Sequence, residues 1–191
     1  MGRGALIFDD HSLRRQLLPL PIDWDIAEGL RLAAVLVPIF RRDGEDWVLF
    51  TERRKDLPEH AGQIAFPGGR RDGTEDPVAC ALRETCEEIG QPPEHVEVLG
   101  GLDHRVSSSA YRVHAIVGRI PNPVALRPDP REVEAILEVP LRSLADESGW
   151  EMREVVTPKR RYRPTPHFPF AGRTIWGLTG RFTTDLLELV R

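Results

Sequence analysis

The chain has 191 residues, enough for one domain with a hydrophobic core. Hydrophobic residues make up 40% of it and charged residues 29%, as in ordinary globular proteins, and its net charge of −4 argues against a general nucleic-acid partner. No apolar run approaches the roughly 18 residues that a membrane-spanning helix requires, so we also expect no membrane partner.

The N-terminal segment is predicted to be an extension and not a targeting signal. Residues 1–8 lack the basic start and long apolar stretch of a signal peptide. Residues 10–18 predict a short helix, which Pro19 and Pro21 end. We expect about residues 1–30 to pack, as an extension, on a single domain that spans residues 1–191.

Three extended segments are predicted next. Residues 33–40, rich in Ala, Val, Leu and Ile, predict a buried strand, and residues 47–51 predict a second strand after a turn around Gly44. Residues 63–66 are expected to be short and extended. The sequence Pro67-Gly68-Gly69 is expected to break this third segment.

A helix over residues 77–89 has clear signals at both ends. Asp76 suits its N-cap and Pro77 its first position, whereas Gly90 suits the residue just past its end. Cys80 and Cys86 lie in this helix with Cα atoms roughly 9 Å apart, which is too far for a disulfide. Reduced thiols and the lack of a signal-peptide pattern lead us to expect a cytoplasmic protein.

The C-terminal half is predicted to contain further strands and a final helix. Residues 96–100 and 111–120 predict strands, and residues 121–131 predict a proline-rich loop. Weaker strand predictions cover residues 135–139, 152–156 and 174–176. A packed terminal helix is predicted by apolar side chains at helical spacing, namely Leu178, Phe182, Leu186 and Leu189. Strands mixed with two main helices indicate a mixed sheet covered by helices.

The helix over residues 77–89 places apolar and acidic side chains on different sides. At 100° per residue, the side predicted to face the core consists of Val78, Leu82, Thr85, Cys86 and Ile89. Three carboxylates, those of Glu84, Glu87 and Glu88, fall on the other side as close neighbours. Like charges at this spacing destabilise a helix by a few tenths of a kcal/mol per pair, and a divalent cation would offset them. Carboxylate ligands suit Mg²⁺ or Mn²⁺, although three glutamates alone are more typical of a solvated acidic face.

A longer pattern around this helix favours the metal site. Gly69, Glu75, Arg83-Glu84, Glu87-Glu88 and Gly90 are spaced as Gly-x5-Glu-x7-Arg-Glu-x2-Glu-Glu-x-Gly. This pattern resembles the signature of the Nudix hydrolases, and all seven of its fixed positions are present. At two positions where the signature has an apolar residue, this sequence has Thr85 and Gln91 instead. We call residues 69–90 the Nudix box.

The resemblance implies a fold, a metal site and a reaction. The expected fold is α/β, a Nudix-type α/β/α sandwich with a mixed β-sheet. Glu84, Glu87 and Glu88 are expected to be catalytic and to bind the metal, with the backbone carbonyl of Gly69 as a further ligand. Arg83, also expected to be catalytic, would orient a carboxylate, and Glu75 would support the loop or bind the metal less directly.

The expected reaction is metal-dependent hydrolysis of a phosphoanhydride bond in a nucleotide-derived substrate. A glutamate near a metal-activated water can act as the general base. Glu84 is the first candidate for this base. Glu132 or Glu134 is the alternative, although a salt bridge is the more usual role for each.

The sequence before the box also resembles one subgroup, the coenzyme A pyrophosphatases. The matching residues are 49–53, Leu57, His60, 62–63 and 66–69, and residues 175–179 resemble a later part of the same subgroup. This resemblance implies cleavage of coenzyme A or acyl-coenzyme A into 3′,5′-ADP and 4′-phosphopantetheine or its acyl form. The residues expected to bind substrate are Arg53, His60, Gln63, Phe66 and Gly68.

Some positions leave the subgroup assignment open. Arg54 and Pro58 depart from the subgroup's usual residues, and residues 104–111 are atypical. A basic cluster, formed by Lys159, Arg160, Arg161 and Arg163, would meet a 3′-phosphate or form a solvated turn.

Two alternatives to coenzyme A hydrolysis remain at this stage. One is a Nudix pyrophosphatase that acts on ADP-ribose, NADH or nucleoside polyphosphates. The other is a Nudix-like regulator that binds a nucleotide without catalysis, although intact box glutamates disfavour it. The oligomeric state is also open, with a homodimer as one alternative.

Overall fold

The computed structural model describes residues 5–122, 125–154 and 164–189. Its helices, in chain order, are α1 (Asp10–Gln16), α2 (Pro77–Ile89), α3 (Leu141–Leu144) and α4 (Gly177–Glu188). Its first strands are β1 (Arg31–Arg42), β2 (Glu45–Arg53), β3 (Ile64–Ala65), β4 (Gly68–Arg70) and β5 (Glu97–Val106). The later strands are β6 (Tyr111–Arg119), β7 (Val133–Pro140), β8 (Glu151–Arg153), β9 (Thr165–Phe170) and β10 (Arg173–Ile175).

A mixed, seven-stranded sheet is built around β1. The strand β1 lies parallel to β6 and antiparallel to β2 and β4. The strand order is β3-β2-β1-β6-β5, while β4 also pairs with β1 and β7 with β2. A central strand is buried on both faces, which explains why the core of β1 is a continuous apolar run.

Helices cover both faces of this sheet and so form three layers. On one face, α2 packs against Leu36 and Ile116 of β1 and β6. On the other face, Leu13 of α1 and Phe182 of α4 join the cluster that contains Phe50 of β2. These layers confirm the predicted α/β/α sandwich with a mixed sheet. The strands β8, β9 and β10 form a separate three-stranded sheet.

The helix α2 begins and ends where the sequence predicts. The Asp76 carboxylate accepts a hydrogen bond of 2.8 Å from the Ala79 amide, as an N-cap residue does. Gly90 has a φ of +71° and its amide donates to the Cys86 carbonyl, which ends the helix. The two cysteines of this helix are free thiols.

The buried face of α2 differs from the predicted one. Cys80, Ala81 and Glu88 are buried, whereas Cys86 is only partly buried. The pattern of apolar residues had predicted that Glu88 lies on the solvated side of the helix. Its carboxylate is instead turned inward, where the backbone of β4 provides a hydrogen-bond donor.

The fold contains two strands that the sequence did not predict. The extended segment at residues 63–66 forms β3 and ends before Pro67, as predicted, but Gly68–Arg70 then forms β4 and pairs with β1. No strand was predicted at residues 165–170, where β9 forms despite two prolines. The predicted strand at residues 152–156 begins as β8, and its residues 155–156 lie outside the described residues, as does the basic cluster.

The N-terminal segment packs on the rest of the chain. Phe8, Leu13 and Leu17 belong to the larger core cluster, and the Phe8 amide donates to the Asp46 carboxylate. These contacts support our prediction of a packed extension. The single domain over residues 1–191 stays a prediction. Across the described part of the chain, no helix combines the length and apolarity needed to traverse a membrane.

Candidate active site

Two consecutive glycines bring β4 close to β1 and α2. A Cβ atom at Gly69 would lie 2.3 Å from the carboxyl carbon of Glu84, and one at Gly68 would lie 2.4 Å from the Ala34 carbonyl oxygen. Gly68 also has a φ of +152°, which side-chain-bearing residues rarely adopt. The absence of side chains here therefore lets the Glu84 carboxylate lie directly against the strand backbone.

Arg83 connects the acidic side chains of the box. Its Nε and Nη2 donate to the two carboxylate oxygens of Glu75, at 3.0 and 2.8 Å. Its Nη1 lies 3.0 Å from both a Glu84 oxygen and a Glu87 oxygen. Its Nη2 also donates to the Arg70 carbonyl of β4. The guanidinium thus contacts the loop, the strand and two helix carboxylates at once, and its orienting role stays a prediction.

Glu75 supports the loop before α2. One of its oxygens accepts a hydrogen bond of 2.7 Å from the Asp72 amide, in addition to the contacts with Arg83. The Arg83 guanidinium lowers the pKa of Glu75 to about 2, so this carboxylate is ionised. Of its two predicted roles, support of the loop is the one that these contacts favour.

Glu88 is an unusually buried carboxylate, with 5% of its surface exposed. It accepts a hydrogen bond of 3.1 Å from the Gly68 amide and lies 3.8 Å from an Arg53 nitrogen. Burial raises the pKa of Glu88 to about 8, although the Gly68 amide and Arg53 act against it. Burial also raises the pKa of Glu84. Both carboxylates thus lie where negative charge is unfavourable without a cation.

A carbonyl and a thiol complete the inner side of the site. The Cys80 thiol donates to the Gly69 carbonyl at 3.7 Å. Burial raises the pKa of Cys80 to about 12, so it remains a thiol and is no nucleophile. Cys80 therefore packs beneath the site as a neutral side chain.

The loop after β6 forms the outer wall of the site. The Asp129 amide donates to the Glu88 carbonyl at 2.8 Å, and the Arg127 amide donates to the Ile89 carbonyl at 2.9 Å. These bonds hold the loop on the last turn of α2. As a result, three of its side chains line an acidic cleft of about 200 Å³ together with the box glutamates. The lining residues are Glu84, Glu87, Glu88, Asp129, Arg131 and Glu132.

This acidic cleft contains residues that sequence reasoning missed. Asp129 and Arg131 were not predicted, because nothing in the local sequence links this loop to a helix about forty residues earlier. Glu132 was one of the alternative general bases and lines the cleft. Glu134, the other alternative, is exposed and does not line it.

The donor set of the acidic cleft suits a hard divalent cation. It offers carboxylate oxygens and, beside Glu84, the backbone of Gly69, and such ligands are those that Mg²⁺ and Mn²⁺ prefer. Among the residues that the structure describes, no three acidic, His or Cys side chains already converge as a metal cage. The Arg83 guanidinium instead bridges Glu84 and Glu87. Arg83 contacts only one oxygen of each carboxylate, so the other oxygens of Glu84 and Glu87 can bind a metal while Arg83 holds the two side chains.

A second, larger cleft adjoins the acidic one. Its volume is about 620 Å³, and it shares Arg131 and Glu132 with the first cleft. Three arginines contribute to its wall, and it also has apolar surface. The lining residues are Arg53, Leu57, Pro58, Glu59, Arg70, Arg131 and Glu132. We call it the arginine cleft.

Only some of the predicted substrate-binding residues lie at the two clefts. Arg53 lines the arginine cleft, and Gly68 lies under the acidic cleft through its bond to Glu88. His60 and Gln63 contact each other, with 3.0 Å between Nδ1 and Oε1, but neither lines a cleft. The Phe66 side chain is 3% exposed and stacks on Phe50 in the core. It therefore shapes the loop from within and presents no surface to the cleft.

A family model and curated relatives both match this sequence, and both belong to one family. A family model described as the NUDIX domain matches residues 30–160. A relative from Shigella sonnei, named "Uncharacterized Nudix hydrolase NudL", is 44% identical over 142 residues, which are 74% of this chain and 73% of the relative. The protein of the same name from Escherichia coli K12 matches with the same identity and coverage.

Comparison with solved structures supports the fold. A Nudix hydrolase from M. smegmatis, RenU, superposes with a TM-score of 0.52 at 24% identity, over 61% of this chain and 74% of that chain. A binary complex of the C. elegans Ap4A hydrolase superposes with a TM-score of 0.50 at 21% identity, over 59% of this chain and 82% of that chain.

Proposed function

The chain belongs to the Nudix family and is a hydrolase, and from this premise we propose that its substrate is coenzyme A or an acyl-coenzyme A. The products would be 3′,5′-ADP and 4′-phosphopantetheine or its acyl form. The reaction adds water to one phosphorus of the diphosphate and breaks the bridging P–O bond, which leaves two phosphate monoesters.

The pairing of an acidic cleft with an arginine cleft is the observation that carries this proposal. The acidic cleft suits a metal-bound diphosphate, whereas the arginine cleft suits further anionic groups next to it. Coenzyme A carries both a diphosphate and a separate 3′-phosphate. A substrate with a second phosphate group therefore uses both clefts, and ADP-ribose, which lacks that group, uses less of the arginine cleft.

The described residues have separate tasks in this reaction. Glu84, Glu87, Glu88 and the Gly69 carbonyl would hold Mg²⁺ or Mn²⁺, which supplies positive charge to the diphosphate and makes water more acidic. Arg83 orients the carboxylates by its contacts with Glu75, Glu84 and Glu87. Glu84 accepts the proton of the attacking water, and Glu132 on the opposite wall is the alternative base.

The arginines of the second cleft bind the substrate. Arg53 and Arg70 both line the arginine cleft, and Arg53 also lies 3.8 Å from Glu88 of the acidic cleft. Arg131 has a highly exposed side chain that reaches both clefts. His60 and Gln63, which contact each other outside the clefts, would hold the loop that carries Leu57 and Pro58.

A substrate panel tests the proposal. Purified protein is assayed with Mg²⁺ and with Mn²⁺ against coenzyme A, acetyl-coenzyme A, 3′-dephospho-coenzyme A, ADP-ribose, NADH and a nucleoside triphosphate, with identification of products. We expect the highest kcat/KM for coenzyme A or its acetyl ester. Removal of the 3′-phosphate should raise KM roughly tenfold, since it removes about one charged contact.

Other outcomes of the panel have definite meanings. If ADP-ribose, NADH or the triphosphate exceeds both coenzyme A compounds by a wide margin, the coenzyme A assignment is wrong. Tight nucleotide binding without turnover would instead indicate a regulator. The triple variant Glu84→Gln, Glu87→Gln, Glu88→Gln is the negative control, and full hydrolysis by this variant would contradict the proposed metal site.

A further inference from the structure

Residues 22–30 form an irregular segment that crosses the sheet beside the start of α2, and we call it the strap. The segment lies before the part of the chain that the Nudix family model matches, apart from residue 30. Ile22 is buried in the same cluster as α2, and Trp24 packs against this cluster. The strap thus lies on the catalytic face of the sheet.

Polar contacts fix the strap to β5 and β6. The Asp25 carboxylate is paired with Arg112 of β6 and with His104 of β5, whose Nε2 lies 3.1 Å away. The Asp25 carbonyl accepts a second hydrogen bond from Arg112, of 2.9 Å. The Trp24 ring meets His114 of β6 edge to face, with 5.1 Å between ring centroids. Such a set of contacts holds Trp24 in one orientation.

Trp24 reaches from the strap to the Nudix box. Its indole Nε1 donates a hydrogen bond of 2.7 Å to the backbone carbonyl of Glu75. The Arg71 guanidinium, from the same loop, lies 5.6 Å from the centre of the Trp24 ring. The loop between β4 and α2 is therefore attached to the strap by one short hydrogen bond and one cation–π contact.

Glu75 transmits this attachment to the acidic cleft. Its carboxylate holds Arg83 through two hydrogen bonds, and Arg83 in turn contacts Glu84 and Glu87. Each contact between two residues in this series is a direct hydrogen bond, and the backbone and carboxylate of Glu75 are joined covalently. A change in the orientation of the Glu75 backbone would therefore shift the guanidinium that arranges two carboxylates of the cleft.

We propose that Trp24 is a positioning residue of the active site, which acts through Glu75 and Arg83 on the carboxylates that would hold the metal. The inference rests on the proposed metal-dependent function. The family signature begins at Gly69, so it does not include this residue. The indole N–H contributes to metal affinity and to kcat because it keeps the Glu75 backbone in place, whereas substrate contacts in the arginine cleft do not depend on it.

The matched variants Trp24→Phe and Trp150→Phe test the inference. The Trp150 indole also donates a 2.7 Å hydrogen bond to a backbone carbonyl, that of Leu144, but it packs against the other core cluster and lines neither cleft. Both variants keep an aromatic ring and lose one equivalent bond, so both should lower the Tm by a similar amount. Only Trp24→Phe should weaken Mn²⁺ binding and reduce kcat, by roughly tenfold each, with KM for the substrate almost unchanged.

A measurement on metal-free protein isolates the positioning step. In Trp24→Phe, the Asp72 amide, which donates to the Glu75 carboxylate, should exchange its hydrogen faster than in the wild type. In Trp150→Phe its exchange should be unchanged. Mn²⁺ binding is followed by calorimetric titration, so neither measurement depends on turnover.

Three results would overturn the inference in distinguishable ways. If wild-type protein binds Mn²⁺ and Trp24→Phe binds it equally well with the same kcat, Trp24 has only a structural role. If wild-type protein binds no Mn²⁺, the proposed function fails first and the inference with it. If Trp24→Phe does not fold, Asp25→Asn serves as the second test. This variant weakens the contacts of the strap but keeps the indole. Unchanged Mn²⁺ affinity in Asp25→Asn would then refute the inference.

Discussion

Arg83 lies among three carboxylates, those of Glu75, Glu84 and Glu87. One planar guanidinium contacts three carboxylates and a backbone carbonyl, with all of its nitrogens in use. The pKa of Arg83 is raised above its usual value, first by the hydrogen bond with Glu75. The planar shape of the guanidinium matters here as much as its charge, because a lysine ammonium cannot contact all of these partners at once.

We therefore predict that Arg83→Lys preserves the fold but impairs the site. Mn²⁺ affinity and kcat should each fall roughly 10- to 100-fold, as for other residues that orient metal ligands. Calorimetric titration with Mn²⁺ and steady-state kinetics measure the two quantities. Arg14→Lys, which alters an exposed pair with Glu97, is the control and should match the wild type. An Arg83→Lys enzyme within twofold of wild-type kcat would rule out an orienting role.

Glu88 illustrates why a residue's surroundings cannot be taken from its type alone. A glutamate near the end of a helix is normally solvated, yet this one is buried between the Gly68 amide and Arg53. Its burial is possible because a backbone donor and a cation are both within reach. Both belong to segments that precede α2 by many residues, so the helix sequence by itself gave no sign of them.

Among the elements, β4 shows how a short strand can define a catalytic site. Its two glycines place the chain between β1 and α2, and the carboxyl carbon of Glu84 occupies the space of a Gly69 side chain. Any Cβ atom at Gly69 must displace this carboxylate by about an ångström to reach ordinary contact distance. A displacement of about 1 Å at a reacting centre can reduce a rate by about 100-fold.

Gly69→Ala is accordingly expected to lower kcat about 100-fold while the protein still folds. Overpacking should also reduce the free energy of unfolding by about 1–3 kcal/mol, measured by urea denaturation. Gly118→Ala in β6 is the control, since its Cβ atom would lie 2.8 Å from a Val96 methyl group and neither residue lines a described cleft. It should lose similar stability but keep its kcat. Wild-type activity in folded Gly69→Ala would contradict this view of β4.

The elements that the sequence predicted well are those with local signals. The helix α2 is defined by Asp76 and Gly90, which act within a few residues of its ends. In contrast, β4 was missed because the preference of two glycines for turns is overridden by pairing with β1. The spacing of the box predicted that Gly69, Arg83 and the three helix glutamates lie close together. They do, because they belong to α2 and to the adjoining strand β4.

The strand β9 shows a different limit of prediction. Pro166 and Pro169 each remove a backbone donor, which normally excludes a strand with neighbours on both sides. In the structure, β8 pairs only with residues 165–167 and β10 only with residues 168–170. Each half of β9 therefore has an open side where a proline is tolerated. Such an offset arrangement depends on two other segments and has no local signature.

At the scale of the whole molecule, buried charges join the N-terminal segment to the sheet. Asp46 is fully buried and accepts hydrogen bonds from Arg41, Arg119 and the Phe8 amide. Burial acts to raise the pKa of Asp46, but the hydrogen bonds with Arg119 and Arg41 prevail and lower it. Arg119 also binds Asp10 of α1. Docking of the N-terminal segment therefore contributes directly to the stability of the sheet.

A buried histidine on the other face makes this stability depend on pH. His114 of β6 is 4% exposed, and its Nε2 has no hydrogen-bond partner among the described residues. The groups that face it are His104 of β5, Arg112 of β6 and, from the strap, Asp25. Burial lowers the pKa of His114 to about 4, and His104 and Arg112 act in the same direction, while Asp25 opposes them.

The sign of the effect follows from proton binding. Since the pKa of His114 is about 4 in the folded state and about 6.5 when unfolded, the unfolded chain binds more protons between these values. The free energy of unfolding must therefore fall as the pH decreases from about 6.5 to about 4. For one such group, the loss between pH 7 and pH 5 is about 2 kcal/mol.

Urea denaturation at pH 7 and pH 5 can isolate this contribution. The decrease in the free energy of unfolding should be about 2 kcal/mol larger for wild-type protein than for His114→Gln, which cannot titrate at this position. His95→Gln, which removes an exposed imidazole, should retain the wild-type decrease. Equal decreases in wild-type protein and His114→Gln would show that His114 does not control acid stability.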